Sequence, residues 1–403
     1  MCAVGRKVEG RRIGVADVLK AGFKWCKFKF SEQQWKVFNA IIACRSGKLG
    51  AHLLRCTQCH RIHFIPLSCR NRHCPSCQGA AAADWLARQE RALLPVPYFH
   101  AVFTVPHTLN PLVRVNPKEL HRILFNAASQ TLLEFGRKNL GAQLGVTAVL
   151  HTWGQTLSEH YHLHCVVTGG GLANDGSLWV SPPGKKPYLF CTKALSKVYR
   201  GKYVSELKKL YDAKELKFHG ESAPLARKEA FDQLVRTLYR QDWVVYSKPP
   251  FAGPKQVLAY LSRYTHRVAI SDHRILALDE QRRKVTIRYK DYRREGRSQT
   301  LTLDIETFIK RLSLHILPKR LTKIRHYGIL SNRTRQTKIK RCRQLLGVDE
   351  IGDENPNVTE NVEDKRYQLP ERCPYCQGET LEYLDITHSP VRISKERAPP
   401  VAA

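Results

Sequence analysis

A run of alternating histidines offers side chains that can bind a metal ion. The run is His160-Tyr-His162-Leu-His164. Side chains two residues apart lie on the same face of a β-strand, so His162 and His164 point the same way. Neutral imidazoles this close together bind divalent cations, but alternating histidines also occur on an ordinary half-exposed strand. The run alone leaves both interpretations open.

A pair of tyrosines one helical turn apart offers a nucleophile. Tyr260 and Tyr264 are expected on one face of a helix, and Arg263 and Arg267 lie beside them in sequence. A tyrosine hydroxyl attacks a phosphodiester when a cation polarises the phosphate and positive groups balance the developing charge. Alone, such a pair is more typical of a hydrophobic core. Together with the histidine run and a net charge of +32, it favours catalysis on nucleic acid.

Two CxxC motifs predict a zinc site in the N-terminal part of the chain. They are Cys56-x2-Cys59 and Cys74-x2-Cys77, and 14 residues separate them. Each motif presents two thiolates to one ion, and two motifs complete a tetrahedron with no open position, so we expect structural Zn²⁺. Other candidate ligands in this stretch leave a different ligand set or a second ion open: His60, His63, Cys69 and His73.

A third CxxC motif lies near the C-terminus, at Cys373 and Cys376. Two cysteines supply only half of a tetrahedral site, so the motif needs two further ligands to hold an ion. Cys342 and His388 are the candidates to complete it. The alternative is a flexible tail without a metal, and the sequence leaves these two interpretations open.

The charge balance indicates a polyanionic partner. Lys and Arg number 67 against 35 acidic residues, far more than solubility requires, so we expect DNA binding. The chain has no apolar run of the roughly 18 or more residues that span a membrane. It also lacks a GxxxxGK[ST] loop, so we expect no use of ATP. Clustered cysteines, 13 in total, fit a reducing cytoplasm.

One segment concentrates the positive charge. Residues 318–343 hold ten Lys and Arg side chains and no acidic one, which predicts contacts with DNA phosphates. Besides Arg263 and Arg267, the expected DNA-binding residues are Lys319, Arg320, Lys323, Arg325, Arg333 and Arg335. Residues 349–364 reverse the sign with seven acidic side chains, and they are predicted to form a disordered linker.

The hydrophobic pattern predicts the helices and strands that carry these clusters. Ser31 is expected to cap a helix that starts at Glu32. Further helices are expected at residues 80–94, 119–139, 193–216, 226–245 and 254–264. Strands are expected at residues 98–105, 146–153, 161–168 (ended by the glycines 169–171), 267–270, 275–279, 284–289 and 298–303.

In this order the motifs resemble the two-tyrosine rolling-circle transposases of bacterial insertion sequences, members of the HUH (His-hydrophobe-His) endonuclease superfamily. The resemblance covers roughly residues 30–345 and rests on segments 68–77, 98–106, 153–171, 260–267 and 326–330 and on the CPxC tail. It implies that His162 and His164 bind Mg²⁺ or Mn²⁺ and that Tyr260 and Tyr264 are the nucleophiles. His160 and Gln155 are candidates for the third metal ligand.

The resemblance also implies a mechanism and a place of action. One tyrosine attacks a single DNA strand at an element end and forms a 5′-phosphotyrosine, which stores the bond energy for rejoining. The expected setting is the bacterial cytoplasm, at the nucleoid. Two alternatives stay open: a plasmid replication initiator or relaxase with the same chemistry, and a non-catalytic zinc-containing DNA-binding regulator. The DNA sequences, the order of tyrosine use and the oligomeric state also stay open.

We therefore predict an α+β fold in three domains. Residues 1–95 form an N-terminal helical and zinc-binding domain. Residues 96–345 form an HUH-type catalytic domain, an antiparallel sheet flanked by helices, with a helical insertion at about 181–250 and a basic DNA-binding end. Residues 346–403 form the acidic linker and the CPxC tail.

Overall fold

The structure is a computed structural model that describes residues 13–79, 82, 85, 89, 93–184, 189–248, 256–257, 265, 267–348, 372–379 and 381–391. Its contacts divide the chain into two compact units. The cysteine unit comprises Met1–Ala82, Val268–Ile316 and Asn357–Ala403, and the sheet unit comprises Ala83–Arg267 and Leu317–Pro356. The sequence predicted three domains that follow one another along the chain. The contacts instead join the N-terminal segment with a central and a C-terminal segment in one unit.

The described residues form twelve strands and eight α-helices. The strands are β1 (Ala51–Cys56), β2 (Ile62–Pro66), β3 (Tyr98–Thr104), β4 (Ala142–Trp153), β5 (Glu159–Ala173), β6 (Trp179–Val180), β7 (Val245–Lys248), β8 (Ile275–Asp279), β9 (Lys284–Asp291), β10 (Arg297–Asp304), β11 (Ile324–Gly328) and β12 (Leu381–Thr387). The helices are α1 (Val15–Gly22), α2 (Glu32–Ala43), α3 (Asn110–Val115), α4 (Pro117–Leu140), α5 (Thr192–Asp212), α6 (Lys228–Arg240), α7 (Ile305–Ser313) and α8 (Arg335–Leu345). None of these helices is long and apolar enough to cross a membrane.

An antiparallel sheet of six strands is the centre of the sheet unit. Its order is β11-β4-β5-β3-β7, with β6 paired to β5. One face carries apolar side chains such as Phe103, Leu150 and Leu163, which enter a buried core with residues of α4 and α5. Because strand side chains alternate, the neighbouring residues of β3, β4 and β5 lie on the opposite face. The predicted α+β class with an antiparallel sheet flanked by helices is confirmed.

The three glycines that were predicted to end β5 lie inside it instead. At Gly170 the backbone has a φ of 126°, and a Cβ there would collide with the carbonyl oxygen of Val180 on β6. A Cβ at Gly171 would collide with the Gln143 carbonyl on β4. The missing side chains therefore let β4 and β6 approach β5 from both sides, and they extend the strand.

The structure confirms some of the other predicted helices and strands and contradicts others. The strands at 98–105, 146–153 and 161–168 and the meander at 275–303 are confirmed, although β4 and β5 are longer than expected. The helix predicted at 226–245 ends at Arg240, and the chain then enters β7. Residues 267–270 form no strand. The helices predicted at 80–94 and 254–264 lie mostly outside the described residues.

The described residues of the cysteine unit form two small antiparallel sheets and three α-helices. The strand orders are β10-β9-β8 and β12-β1-β2. Ser31 caps α2 as predicted: its hydroxyl accepts a hydrogen bond from the Gln34 N–H at 3.3 Å. The carboxylate of Asp272 accepts hydrogen bonds from the Val15 N–H at 2.8 Å and the Ser76 hydroxyl at 3.1 Å. Asp272 thus joins the start of α1 to the loop that carries the second CxxC motif.

Candidate functional site

Three histidines meet on the sheet face opposite the core of α4 and α5. Antiparallel pairing of β4 with β5 places His151 directly opposite His162, and strand alternation places His164 on the same face. One ligand nitrogen from each residue lies within 4.8 Å of the other two. We call these three residues the histidine trio. Its donor atoms and their spacing could hold a metal ion.

Hydrogen bonds orient two rings of the trio, those of His162 and His164. His162 donates from Nδ1 to the His160 carbonyl at 2.8 Å, so in the neutral ring its Nε2 keeps a lone pair. That Nε2 lies 3.1 Å from His164 Nε2. On β3, His100 places its Nε2 3.0 Å from His164 Nδ1, with the two rings stacked. Hydrogen bonds to the outer nitrogen are what orient metal-binding histidines in known sites.

Burial keeps the imidazoles of His100, His162 and His164 neutral. It lowers the pKa of His162 to about 3 and, together with the charge of Lys248, that of His100 to about 3. The pKa of His164 is lowered well below its usual range, first by burial and then by the neighbouring His162. The positive charge of Arg267 lowers the pKa of His162 and His164 further. Neutral rings at physiological pH retain the lone pairs that a cation needs.

The third member of the trio is not a residue that the sequence singled out. His160 was a candidate ligand, but its ring lies against His107, at 5.5 Å between centroids, and it is not part of the trio. Gln155, the other candidate, lies in the loop between β4 and β5. His151 was missed because its place depends on the pairing of two strands. The only signal for it was the register of the predicted hairpin.

Positive charge lies close to the trio. The Trp153 ring stacks on His151 at 4.7 Å between centroids, and the Lys323 ammonium lies 5.2 Å from the Trp153 ring centre. Lys323 also donates a hydrogen bond to the Arg267 carbonyl at 2.7 Å. Two of the predicted DNA-binding cations are therefore held beside the trio. Among the other predicted residues of this region, Tyr260, Arg263 and Tyr264 lie outside the described residues.

The four cysteines predicted to form one zinc site are divided between two clusters. The Cys56–Cys59 motif lies in the turn between β1 and β2, whereas the Cys74–Cys77 motif lies in a later loop, next to the end of α2. The N-terminal cluster consists of Cys44, Cys69, Cys74 and Cys77. The split cluster consists of Cys56, Cys59, Cys373 and Cys376. The chain folds each CxxC motif against a different pair of cysteines, so the predicted grouping is replaced by two groups of four.

Residues considered as extra zinc ligands have other positions. Cys69 belongs to the N-terminal cluster, whereas His60 and His73 belong to neither cluster. Cys342, a candidate partner of the C-terminal motif, is buried in an apolar core of the sheet unit. His388 is also outside both clusters.

Comparisons with known proteins decide the family. Residues 145–338 match a family model described as "Putative transposase", and residues 19–105 match one described as "Transposase zinc-binding domain". A Sinorhizobium fredii (strain NBRC 101917 / NGR234) protein named "Putative transposase y4qJ" is 40% identical over 391 residues, covering 94% of this chain and 97% of that protein. The chain belongs to this family of transposases. Of the three functions that the sequence left open, this is the one that the relatives support.

The transposase has further relatives. The transposase for insertion sequence element IS801 of Pseudomonas savastanoi pv. phaseolicola is 29% identical over 298 residues, covering 73% of this chain and 69% of that protein. Solved structures of the conjugative relaxase TrwC with oriT DNA, one copper-bound and one metal-free, align with 62% of this chain and with 70% and 73% of theirs. Their identities are 16% and 14%, and both TM-scores are 0.24, a superposition too loose to support any inference.

The predicted DNA-binding cations of the transposase occupy different environments. Lys319, Arg320 and Arg333 are exposed, and Arg335 is half-buried beside Gln89. Arg325 lies with its guanidinium 4.1 Å from the centre of the buried Phe125 ring. Because Arg325 pairs with Ala148, it lies on the face of the sheet opposite the trio. Its position differs from that of the other cations and fits packing against α4.

Proposed function

We propose that this transposase cuts and rejoins single DNA strands through a tyrosine–DNA ester and that the histidine trio holds the divalent cation that cleavage needs. The observation that carries this proposal is the trio itself: three histidines within 4.8 Å of one another, with His162 and His164 neutral and oriented by hydrogen bonds, beside Arg267 and Lys323. Membership in the transposase family establishes the general activity on DNA. The cation and the nucleophile are the parts that we propose.

The donor set of the trio fits a transition-metal ion. Imidazole nitrogens bind first-row divalent metals, whereas Mg²⁺ demands oxygen ligands. Three histidines therefore favour Mn²⁺ over Mg²⁺ at this site. His151, His162 and His164 would hold the cation, which would supply Lewis acidity at the scissile phosphate.

Tyr260 and Tyr264 are the proposed nucleophiles. The tyrosine hydroxyl loses its proton and its oxygen bonds to the scissile phosphorus. The bond from phosphorus to the 3′ oxygen breaks, that oxygen takes up a proton, and the 5′ end stays attached as a phosphotyrosine. The ester keeps the energy of the broken bond, so the 3′-hydroxyl can reseal the strand by the reverse reaction without ATP. A second tyrosine allows a second cleavage while the first strand end is still held. This sequence of steps suits single-stranded element ends.

Positive side chains balance the charge of the DNA in this proposal. Arg267 and Lys323 lie beside the trio, where they can bind a phosphate. The exposed Lys319, Arg320 and Arg333 contact further phosphates along the strand. Action at the nucleoid in the bacterial cytoplasm follows from this binding.

The N-terminal cluster is the proposed site of a structural Zn²⁺ ion. Cys77 Sγ lies 3.6 Å from Cys44 Sγ and 3.7 Å from Cys69 Sγ. A tetrahedron with Zn–S bonds of about 2.3 Å has edges of about 3.8 Å, which the cluster matches. Four cysteine ligands leave no open position for substrate, so this ion stabilises the fold.

A covalent-adduct assay tests the proposed chemistry. The full chain is incubated with a single-stranded element end and Mn²⁺, and the protein–DNA adduct is digested and mapped by mass spectrometry. The proposal expects the nucleotide on Tyr260 or Tyr264, and it expects no adduct from the Tyr260→Phe/Tyr264→Phe variant. Tyr239→Phe, which alters an exposed tyrosine on α6, is the matched control and should form the adduct normally. An adduct on another residue, or one formed by the double variant, would contradict the mechanism.

A further inference from the structure

Four cysteines from opposite ends of the chain form the split cluster. Cys56 Sγ lies 3.5 Å from Cys376 Sγ, and Cys59 Sγ lies 3.7 Å from Cys373 Sγ, across separations of 320 and 314 residues. All four sulfurs lie within 4.8 Å of one another. The two distances are far longer than a disulfide bond of about 2.05 Å and close to the edge of about 3.8 Å in a zinc tetrathiolate.

The two CxxC turns of this cluster have the same backbone conformation. In the first turn the Cys56 N–H donates to the Arg61 carbonyl at 3.0 Å and the His60 N–H donates to the Cys56 carbonyl at 2.9 Å. In the second turn the corresponding bonds join Cys373 to Gly378 at 2.8 Å and Gln377 to Cys373 at 2.9 Å. His60 and Gln377, each four residues after the first cysteine, both have positive φ, 55° and 59°.

The shared backbone conformation of the two CxxC turns indicates a shared function. These backbone hydrogen bonds fold each turn tightly around the sulfur of its first cysteine. The residue with positive φ, His60 or Gln377, completes the turn. A left-handed conformation costs energy for residues other than glycine, so its occurrence at the same place in two unrelated segments indicates a shared constraint. Two such turns facing each other present four thiolates to one tetrahedral ion.

Strand pairing joins the C-terminal half of the cluster to the N-terminal half. β12 follows the second turn and pairs antiparallel with β1, with Cys56 opposite Leu381 and Arg55 opposite Glu382. The Arg55 guanidinium and the Glu382 carboxylate lie 2.7 Å apart. The pairing continues from Cys56 to Ala51, the whole length of β1.

Side chains of the first turn region also contact the second turn. His63 is buried on β2, and its Nε2 lies 3.3 Å from Cys373 Sγ, where an N–H can donate to a thiolate. Its ring stacks on Tyr375 at 5.2 Å between centroids, and the Arg61 guanidinium lies 4.7 Å from the centre of the Tyr375 ring. The two halves therefore form one local structure around the sulfurs.

We infer that the split cluster binds a second Zn²⁺ ion and that this ion joins the two ends of the chain into one zinc ribbon. The four thiols bind as thiolates and release their protons when the ion enters. The family model for the zinc-binding domain ends at residue 105, so Cys373 and Cys376 lie outside it. The ribbon consists of β1, β2 and β12 with the two CxxC turns, and neither end of the chain completes it alone.

Zinc stoichiometry of the full chain tests this inference. Metal analysis is made on purified protein that carries His162→Ala in every sample, so that the histidine trio does not take up zinc. With the cysteines as in the wild type it should give two Zn²⁺ per chain, one for each cysteine cluster. The Cys373→Ser/Cys376→Ser variant should retain one. Cys191→Ser, which changes an exposed cysteine outside both clusters, is the control and should retain two. One Zn²⁺ with the wild-type cysteines, or two in the double variant, would overturn the inference.

A second measurement remains decisive if the double variant does not fold. Wild-type protein in which Co²⁺ replaces zinc should show two equivalents of metal with tetrahedral thiolate absorption, and one equivalent would overturn the inference. A site for a sequence-specific protease, inserted between residues 356 and 357, adds a direct readout of the join. After cutting, the C-terminal fragment should elute with the rest of the protein and dissociate when a chelator removes the zinc. A fragment that dissociates with zinc present would also overturn it.

Discussion

His100 and His164 stack across the pair β3–β5, with His100 Nε2 3.0 Å from His164 Nδ1. The contact holds the ring of His164, a proposed metal ligand, at the nitrogen that faces away from the other two histidines of the trio. If His164 binds the cation through Nε2, its Nδ1 carries the proton and donates to His100. His100 is thus a positioning residue: it acts on the cation through His164.

Replacement of His100 should weaken the cation site without removing it. For His100→Ala we expect the Mn²⁺ concentration for half-maximal cleavage to rise about 10–100-fold, as for other outer partners of metal-binding histidines. The maximal rate at saturating Mn²⁺ should change much less. His107→Ala, which alters a histidine in contact with His160 but outside the trio, is the control. An unchanged Mn²⁺ dependence in His100→Ala would refute this role.

The exposed cations of the basic segment should control the salt dependence of DNA binding. Replacement of Lys319, Arg320 and Arg333 by Gln should reduce the slope of the logarithm of DNA affinity against the logarithm of salt concentration. The reduction should be roughly 0.7–0.9 for each phosphate that the protein no longer neutralises. Arg325→Gln is the matched control, because Arg325 packs over Phe125 on the other face of the sheet. We expect it to leave the slope unchanged. Equal slopes in the triple variant and the wild type would show that these cations do not bind DNA.

His121 should make the stability of the sheet unit depend on pH. It is buried in α4, and burial lowers its pKa from 6.5 to about 4, so the unfolded chain binds a proton there that the folded chain does not. This contribution to stability is present above pH 6.5 and is lost as the pH falls towards 4, a change of roughly 3 kcal/mol.

Denaturant unfolding at several pH values measures this effect. Between pH 6.5 and 4 the free energy of unfolding of His121→Leu should fall less than that of the wild type, because one titrating group is gone. His219→Leu, which alters an exposed histidine, should follow the wild-type curve. Identical pH dependence of His121→Leu and the wild type would show that another group causes the loss.

Cys44 should matter for zinc as much as the CxxC motif that it faces. It lies at the end of α2, with its sulfur 3.6 Å from Cys77 Sγ. Cys44→Ser should lose one Zn²⁺ per chain and unfold at a lower temperature, because ion binding and folding are linked at structural sites. Cys26→Ser, outside both clusters, should keep the wild-type metal content. Full zinc content in Cys44→Ser would exclude this residue as a ligand.

Local patterns in the sequence predicted the parts of the site that local geometry determines. His162 and His164 could be placed on one face because strand alternation depends only on neighbouring residues. His151 could not, because its place opposite His162 depends on the register of a hairpin that contains irregularities. A shift of one residue in that register would have turned His151 to the other face.

The cysteines show the same limit at longer range. The CxxC motifs are local and were recognised, but the partner of each motif depends on the fold. Cys373 meets Cys59 across 314 residues, and no spacing rule connects them. Gly170 is a third case: its φ of 126° serves close strand pairing, whereas a glycine in sequence most readily suggests a turn.

Manganese binding by two single variants tests the central claim most directly. His151 and His160 both lie near His162, but only His151 belongs to the trio. We expect His151→Ala to lose Mn²⁺ binding, measured by electron paramagnetic resonance on protein that carries zinc only in its cysteine clusters, together with cleavage of single-stranded element ends. His160→Ala should retain both. Wild-type Mn²⁺ affinity in His151→Ala, or loss of binding in His160→Ala alone, would contradict the proposed site.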